Sequence, residues 1–330
     1  MTAVRYQRIA VLGGGAWGTA LAVVAARAGR AVRIWARDPD VVAAIDQSRE
    51  NPRYLPDITL DHIPATTNIG AALRADAVLL AVPAQATRSV AAIAAPYLAE
   101  GHPLVICAKG LETGTAKRMS EVLADAAPDA PVAVLSGPGF ATDVAQGLPT
   151  AVTIAASDER LARDLCQSLA SRSFRPYAET DLIGVELGGA VKNVLAIAAG
   201  IVAGRRLGAS ALAALIARGF AEMRRLAAAL GARAETLMGL SGLGDLVLTC
   251  SGPQSRNFAY GQMLGEGGDP NDDHPLVEGI ATASVARDLA RRHRIAMPIV
   301  DAVAAIVGGN LTIDAAIEAL MTRPLKHETE

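Results

Sequence analysis

Residues 8–35 read RIAVLGGGAWGTALAVVAARAGRAVRIW. Arg8–Leu12 has the pattern of a short buried strand, and Ala31–Trp35 that of a second. Between them Gly13, Gly15 and Gly18 form GxGxxG and lead into the helix pattern Ala16–Ala28. In such a unit the first glycine makes the tight turn. The second lets the backbone approach a pyrophosphate, and the third lets helix and strand pack closely. The helix N-terminus then faces the phosphates. Because strand, glycines, helix and strand come in this order, the stretch is read as the βαβ opening of a dinucleotide-binding domain.

The end of the second strand bears on which dinucleotide is taken. An acid there accepts from the ribose 2′-hydroxyl of NAD, whereas an Arg suits a 2′-phosphate. The sequence is Trp35-Ala36-Arg37-Asp38-Pro39. Arg37 comes first. Asp38 can either N-cap the helix that begins at Pro39 or accept from the ribose. The expectation is that NADP(H) and NAD(H) are both used, with a lean toward NADPH.

Outward from this unit, strand-like runs recur at Ala77–Val82, Leu104–Cys107, Val132–Leu135 and Ala151–Ala155. Helical stretches such as Thr87–Leu98 and Ala116–Ala127 lie between several of them. Alternating β and α predicts a Rossmann-type, doubly wound parallel sheet, with ligands at the strands' carboxyl ends. Three loops fall at that rim: Val82–Gln85, Ala108–Glu112 and Ser136–Ala141. After about Tyr177 strand signals fade, and helices are predicted at Val185–Ala203, Ala211–Leu230, Thr282–Arg292 and Pro298–Val307. The expectation is an α/β domain over residues 1–180 and an all-α domain over 181–330.

The second domain carries an unusual lysine. Lys109, Lys117, Lys192 and Lys326 are the only lysines, and every other basic residue apart from His is Arg. Lys192 sits in ELGGAVKNVLAIAAGIVAG (residues 186–204), a run otherwise almost wholly small and apolar. Arg stays charged at any workable pH, while a desolvated Lys can release its proton. A proton-transfer group is one reading, and a lysine snorkelling from a core helix is the other. Two further clusters stand out: LSGLGDL (240–246), with its single acid Asp245, and QSRNF (254–258). Ser255 can cap a helix, while Arg256 and Asn257 carry donors suited to phosphate or carboxylate oxygens. The five histidines, His62, His102, His274, His293 and His327, fall in none of these motifs.

Composition narrows the field. The net charge of -2 over 330 residues leaves no basic footprint for nucleic acid. Three widely spaced cysteines without CxxC patterning argue against a disulfide framework or a zinc site. No metal is expected. The N-terminal stretch enters a strand at once without a signal-peptide pattern, and no apolar run is expected to reach the roughly 18 residues of a membrane span. A cytoplasmic protein is expected, acting on a small molecule. Its oligomeric state is open, with a homodimer as the candidate.

Taken together, GGGAWGTALA, YLPD (54–57), AKGLE, SGPGFA, ELGGAVKNVLAIAAG, GLGDLVLTC, SRN and VEG (277–279) resemble the bacterial NAD(P)-dependent glycerol-3-phosphate dehydrogenases along essentially the whole chain. The resemblance implies reduction of dihydroxyacetone phosphate to sn-glycerol 3-phosphate at the head of glycerophospholipid synthesis. It implies that Lys192 is the proton donor and acceptor. It places Lys109, Gly137, Gly139, Asp245, Ser255, Arg256 and Asn257 with Lys192 at the substrate. Trp17, Arg37, Tyr54, Lys109, Ala141, Arg256, Leu276 and Glu278 go to the cofactor, with the three glycines of the opening motif. This chain departs from the family pattern at Gly139, where Ser or Thr is usual, and at Ala16, Asp143, Ser210 and Ala217. Two rivals stand beside this reading. A dehydrogenase of the β-hydroxyacid group shares the two-domain plan, but phosphate binding by Arg256 and Asn257 does not suit a plain hydroxy acid. A non-catalytic nucleotide sensor has no need of Lys192, Asp245 and SRN together.

Overall fold

The computed structural model describes residues 5–325 and residue 327, so residues 1–4, Lys326 and residues 328–330 of the two expected domains lie outside it. β1 (Arg8–Leu12), α1 (Ala16–Arg27) and β2 (Ala31–Trp35) form the opening unit. There follow α2 (Pro39–Ser48), β3 (Ala65–Thr66), α3 (Ile69–Ala72), β4 (Ala77–Leu80), α4 (Thr87–Ala94), β5 (Leu104–Ile106) and α5 (Met119–Ala126). β6 (Val132–Ser136), α6 (Ala141–Gln146), β7 (Thr150–Ala156), α7 (Glu159–Leu169) and β8 (Phe174–Glu179) complete the sheet domain. The strand order is β3-β2-β1-β4-β5-β6-β7-β8. β1 lies between β2 and β4, so the winding reverses there and a crevice opens at the strands' carboxyl ends. One apolar layer, including Leu21, Ile34 and Val152, covers one face of the sheet, and another, including Leu80, Val122 and Leu123, covers the other.

The sheet is mostly parallel rather than wholly so. β7 runs antiparallel to β6, pairing Ser136 with Thr153 and Ala133 with Ala156. The cause is local. α6 is short, and Gly147 ends it in the left-handed conformation (φ 83°) two residues before Pro149. The chain therefore re-enters the sheet at the rim it has just left. β8 was not expected. Its sequence FRPYAE carries Arg175 and Glu179 and holds Pro176, which an edge strand tolerates because only one side is paired. β3 is too short to leave a periodic signal.

Helices make up the rest: α8 (Leu182–Gly204), α9 (Ala209–Ala229), α10 (Ala234–Met238), α11 (Asp245–Thr249), α12 (Arg256–Gly265), α13 (Glu278–Arg292), α14 (Pro298–Val307) and α15 (Ile313–Met321), with a π-helical turn at Leu240–Gly244. α8 is the axis of this domain, and every residue from Gly184 to Val202 is buried. Its length and its mean hydropathy of 1.6 would pass for a membrane span, yet 89% of that window is buried inside the protein. This corrects the expectation that no apolar run is that long: the run tolerates Glu186, Lys192 and Asn193 because it is a core helix of the fold. α12 crosses α8 in backbone contact: a Cβ at Gly200 would fall 2.0 Å from Phe258 O, and one at Gly261 2.0 Å from Ile197 O. Small residues are required where two helix backbones approach this closely. The crossing sets the N-terminal end of α12 beside the middle of α8, where Lys192 lies.

Candidate active site

Four segments converge on Lys192. Its ammonium donates to Asp245 Oδ1 at 2.5 Å and to Thr249 Oγ1 at 2.6 Å. The other carboxylate oxygen, Asp245 Oδ2, accepts from Lys109 Nζ at 2.8 Å, and Lys109 also donates to Gly137 O at 2.9 Å. Lys192 comes from α8, Asp245 and Thr249 from α11, and Lys109 and Gly137 from the loops after β5 and β6. Asp245 and Thr249 are four residues apart, which puts both on one face of a short helix. The Lys192 side chain does not snorkel out: it is 7% exposed, against 16% for Lys109 and 1% for Asp245.

Electrostatics follow from that burial. Desolvation of an ammonium is worth several kcal/mol, and here it outweighs the attraction of Asp245. With the Lys109 charge acting in the same direction, it brings Lys192 down to about 8. Burial alone would raise Asp245, but the two ammoniums outweigh it and hold the carboxyl below its usual range. The thiol of Cys250, close by, is pushed up to about 12 by burial and is neutral at physiological pH. The site therefore holds a buried carboxylate between two lysines, one of which, Lys192, is able to exchange its proton near neutrality.

A chain of amides fastens the site across the two domains. Asn193 Nδ2 donates to Lys109 O at 2.9 Å, Asn257 Nδ2 donates to Asn193 Oδ1 at 3.0 Å, and Gly279 N donates to Asn257 Oδ1 at 2.9 Å. Asn257, expected as a phosphate donor, thus spends its carbonyl and one amide hydrogen on structure. Ser255 is the N-cap of α12, its hydroxyl accepting from Phe258 N at 3.3 Å. Arg256 is exposed beside them and makes no hydrogen bond or ion pair among the described residues. Glu278, at the start of α13, accepts from Ala84 N at 3.2 Å, which ties the helical domain to the loop after β4. Burial raises the Glu278 carboxyl, with Ala84 and the Arg256 charge opposing. Leu276, two residues before it, is exposed.

The glycine loop has the features of a dinucleotide cradle. Gly13 has φ +128°, and a Cβ there would lie 2.5 Å from Ala81 O, so the turn requires glycine. Gly15 differs. Its φ of -76° suits any residue and open space surrounds it, so the missing side chain leaves room for an incoming group. α1 has no side-chain cap, leaving its first N–H groups for an anion. Trp17 Nε1 is buried without a partner among the described residues, and the Lys109 ammonium lies 5.7 Å from the Trp17 ring centroid. Gly139, in the loop after β6, and Ala141, the first residue of α6, are half-buried. A Cβ at Gly139 would lie 3.2 Å from Val144 Cγ2 and 3.6 Å from Trp17 Cη2, so a larger side chain there would need the Val144 methyl to give by a few tenths of an ångström. Arg37 and Tyr54 lie farther out, at the end of β2 and in the loop after α2, both exposed. Asp38 is the N-cap of α2. Thr249, Asn193 and Gln85 were not singled out from sequence. Gln85 holds the Lys109 loop, donating to Leu111 O at 2.8 Å and accepting from Thr113 N at 3.0 Å. The spacing of Asp245 and Thr249 was the one available signal.

A doubly wound sheet with an uncapped glycine-loop helix, joined to a helical domain that presents a buried lysine at the crevice, defines a two-domain, dinucleotide-dependent dehydrogenase. Comparison with known proteins makes this specific. Residues 8–162 match the model for the NAD-dependent glycerol-3-phosphate dehydrogenase N-terminus and residues 181–318 that for its C-terminus. The chain belongs to the NAD-dependent glycerol-3-phosphate dehydrogenase family. It is 62% identical over 325 residues, 98% of this chain and 99% of the relative, to a glycerol-3-phosphate dehydrogenase [NAD(P)+] from Bradyrhizobium sp. (strain ORS 278). A protein of the same name from Brucella canis is 56% identical over 97% of this chain and 99% of its own length. Among solved structures, glycerol-3-phosphate dehydrogenase from Coxiella burnetii superposes with a TM-score of 0.91 at 41% identity, covering 96% of this chain and 99% of that one.

Proposed function

We propose that this enzyme interconverts dihydroxyacetone phosphate and sn-glycerol 3-phosphate with NAD(P) as coenzyme, and that Lys192 transfers the proton. Family membership supports the substrate pair. The observation that carries the proton role is the Lys192–Asp245–Lys109 array. When bound, the nicotinamide supplies or takes the hydride at the C2 carbon. Lys192, protonated below about pH 8, donates to the C2 oxygen in reduction; as the neutral amine it takes that proton back in oxidation. Asp245 holds the ammonium by one oxygen and Thr249 holds it from the side, so its remaining N–H is aimed rather than free to rotate. Lys109, fixed by Asp245 and Gly137, adds positive charge where the carbonyl oxygen becomes negative. Arg256 and the N-terminal N–H groups of α12 hold the phosphate and so fix the carbonyl carbon in the crevice. The product suits a role in supplying glycerophospholipid synthesis. Residues 1–180 form the dinucleotide domain in this reading, and 181–330 the substrate domain.

The test is Lys192→Met, which matches the stem and removes the exchangeable proton. Cofactor affinity is expected to hold while turnover falls about a hundredfold or more. Turnover within severalfold of the parent would show that another group moves the proton. Oxidation of hydroxyisobutyrate or 6-phosphogluconate by NAD(P)+ in place of sn-glycerol 3-phosphate would shift the assignment to the β-hydroxyacid group.

A further inference from the structure

Asp38, three residues past β2 and the N-cap of α2, has both carboxylate oxygens engaged. Oδ1 accepts from Asp40 N at 2.9 Å, and Oδ2 accepts from Arg53 Nη1 at 2.7 Å. Arg53 belongs to the loop after α2, and its guanidinium lies over the Tyr54 ring, 5.3 Å from the centroid. Arg37, next to Asp38, is exposed and without a hydrogen bond or ion pair among the described residues. An acid at this position ordinarily accepts from a ribose 2′-hydroxyl and repels a 2′-phosphate. Here each carboxylate oxygen already accepts one hydrogen bond and the charge is paired with the Arg53 guanidinium.

Stability does not account for the pair. The two side chains are 62% and 37% exposed, and exposed ion pairs contribute little to folding. The loop is pinned by another residue. Buried Asn51 donates from Nδ2 to Gly14 O and to Thr19 Oγ1, each at 2.8 Å, clamping it to the glycine turn. Arg53 is therefore held at the end of β2 by the fold and is free to act on Asp38. We propose that Arg53 is a specificity-determining residue: by occupying Asp38 it converts the end of β2 from an acceptor of a ribose hydroxyl into a cationic seat for a 2′-phosphate. The proposal rests on the dinucleotide reading of the site, and it assigns Arg53 a part distinct from that of Arg37, which is exposed and has no carboxylate partner among the described residues.

Calorimetric titration of the whole enzyme with 2′,5′-ADP and with 5′-ADP tests this without turnover. Arg53→Gln is expected to weaken 2′,5′-ADP by about tenfold, the scale of one charged hydrogen bond, and to leave 5′-ADP unchanged or tighter. In an Asp38→Asn background the same substitution should change 2′,5′-ADP affinity less than about threefold, because no carboxylate is left to unmask. Equal weakening of both probes would mean that Arg53 merely supports the adenosine loop and would overturn the proposal. So would an unchanged 2′,5′-ADP affinity, or a full effect persisting in Asp38→Asn. Failure of the parent enzyme to bind either probe would instead refute the dinucleotide reading itself.

Discussion

Asp245→Asn probes the site with the least change of shape. The carboxylate is 1% exposed and lies between two ammoniums at 2.5 and 2.8 Å. The amide keeps an oxygen to accept from one lysine but removes the negative charge. Burial and the Lys109 charge then act on Lys192 with little to oppose them. A unit-charge pair about 4 Å apart, at an effective dielectric of about 20, is worth roughly 4 kcal/mol. Taking half to two-thirds of that as lost, the Lys192 titration moves down by about two pH units from its value near 8. At neutral pH the parent lysine is mostly protonated, while in the variant only about a tenth remains so. Reduction of dihydroxyacetone phosphate should fall at least about tenfold at pH 7 and recover as the pH is lowered toward about 5.5. The assay is initial NADPH oxidation at saturating substrate over that pH range, with circular dichroism to verify folding. A folded variant whose pH profile keeps the parent's midpoint would refute the electrostatic argument, and so would one that loses activity equally at every pH.

Further outcomes follow from the same geometry. In the parent enzyme the reductive rate should fall as pH rises through about 8 while the oxidative rate climbs through the same point. Matching slopes in the two directions would exclude Lys192 as the titrating group. Arg256→Ala should lower kcat/KM for dihydroxyacetone phosphate by roughly tenfold or more, and far less for unphosphorylated dihydroxyacetone; equal fractional losses would place Arg256 away from the phosphate. Arg37→Ala should raise the KM for NADPH about tenfold or more over that for NADH, and parallel rises would mean that Arg37 touches adenine or the loop instead. Glu222 offers a stability test. It is buried, accepts from Ile299 N and Val300 N, and is raised to about 7 by desolvation. Its folded value lies above its unfolded one, so the fold favours the protonated form. Stability should therefore decline between about pH 4.5 and 7, by up to about 3 kcal/mol. Chemical denaturation of Glu222→Gln should show that slope flattened, and an unchanged slope would clear Glu222 of the effect.

Much was legible in the chain because the signals were local. The GxGxxG unit specifies its own turn, since Gly13 must adopt a positive φ and Gly18 must let strand and helix touch. The α8 run announces a core helix, and a lone lysine within it announces a cost that something must offset. The resemblance of short motifs carried the assignment further than periodicity could. The signals that failed were those set by neighbours rather than by the segment itself. β8 is a strand because β7 offers it an edge, not because FRPYAE prefers one. The antiparallel entry of β7 follows from where α6 stops.

The sequence alone determined that a dinucleotide fold opens the chain, that helices follow, and which residue types are available for chemistry. Only the tertiary structure decided what those residues do to one another. Lys192 and Asp245 are 53 positions apart and Lys109 and Asp245 are 136 apart, and no local rule predicts that one carboxylate will meet both ammoniums. Asn257 spends its amide on Asn193 and Gly279, and Asp38 spends its carboxylate on Arg53, because packing brings those partners within hydrogen-bond range. A side chain's chemistry is written in the sequence, but its partners, and hence its charge and pKa, depend on distances that only the folded chain sets.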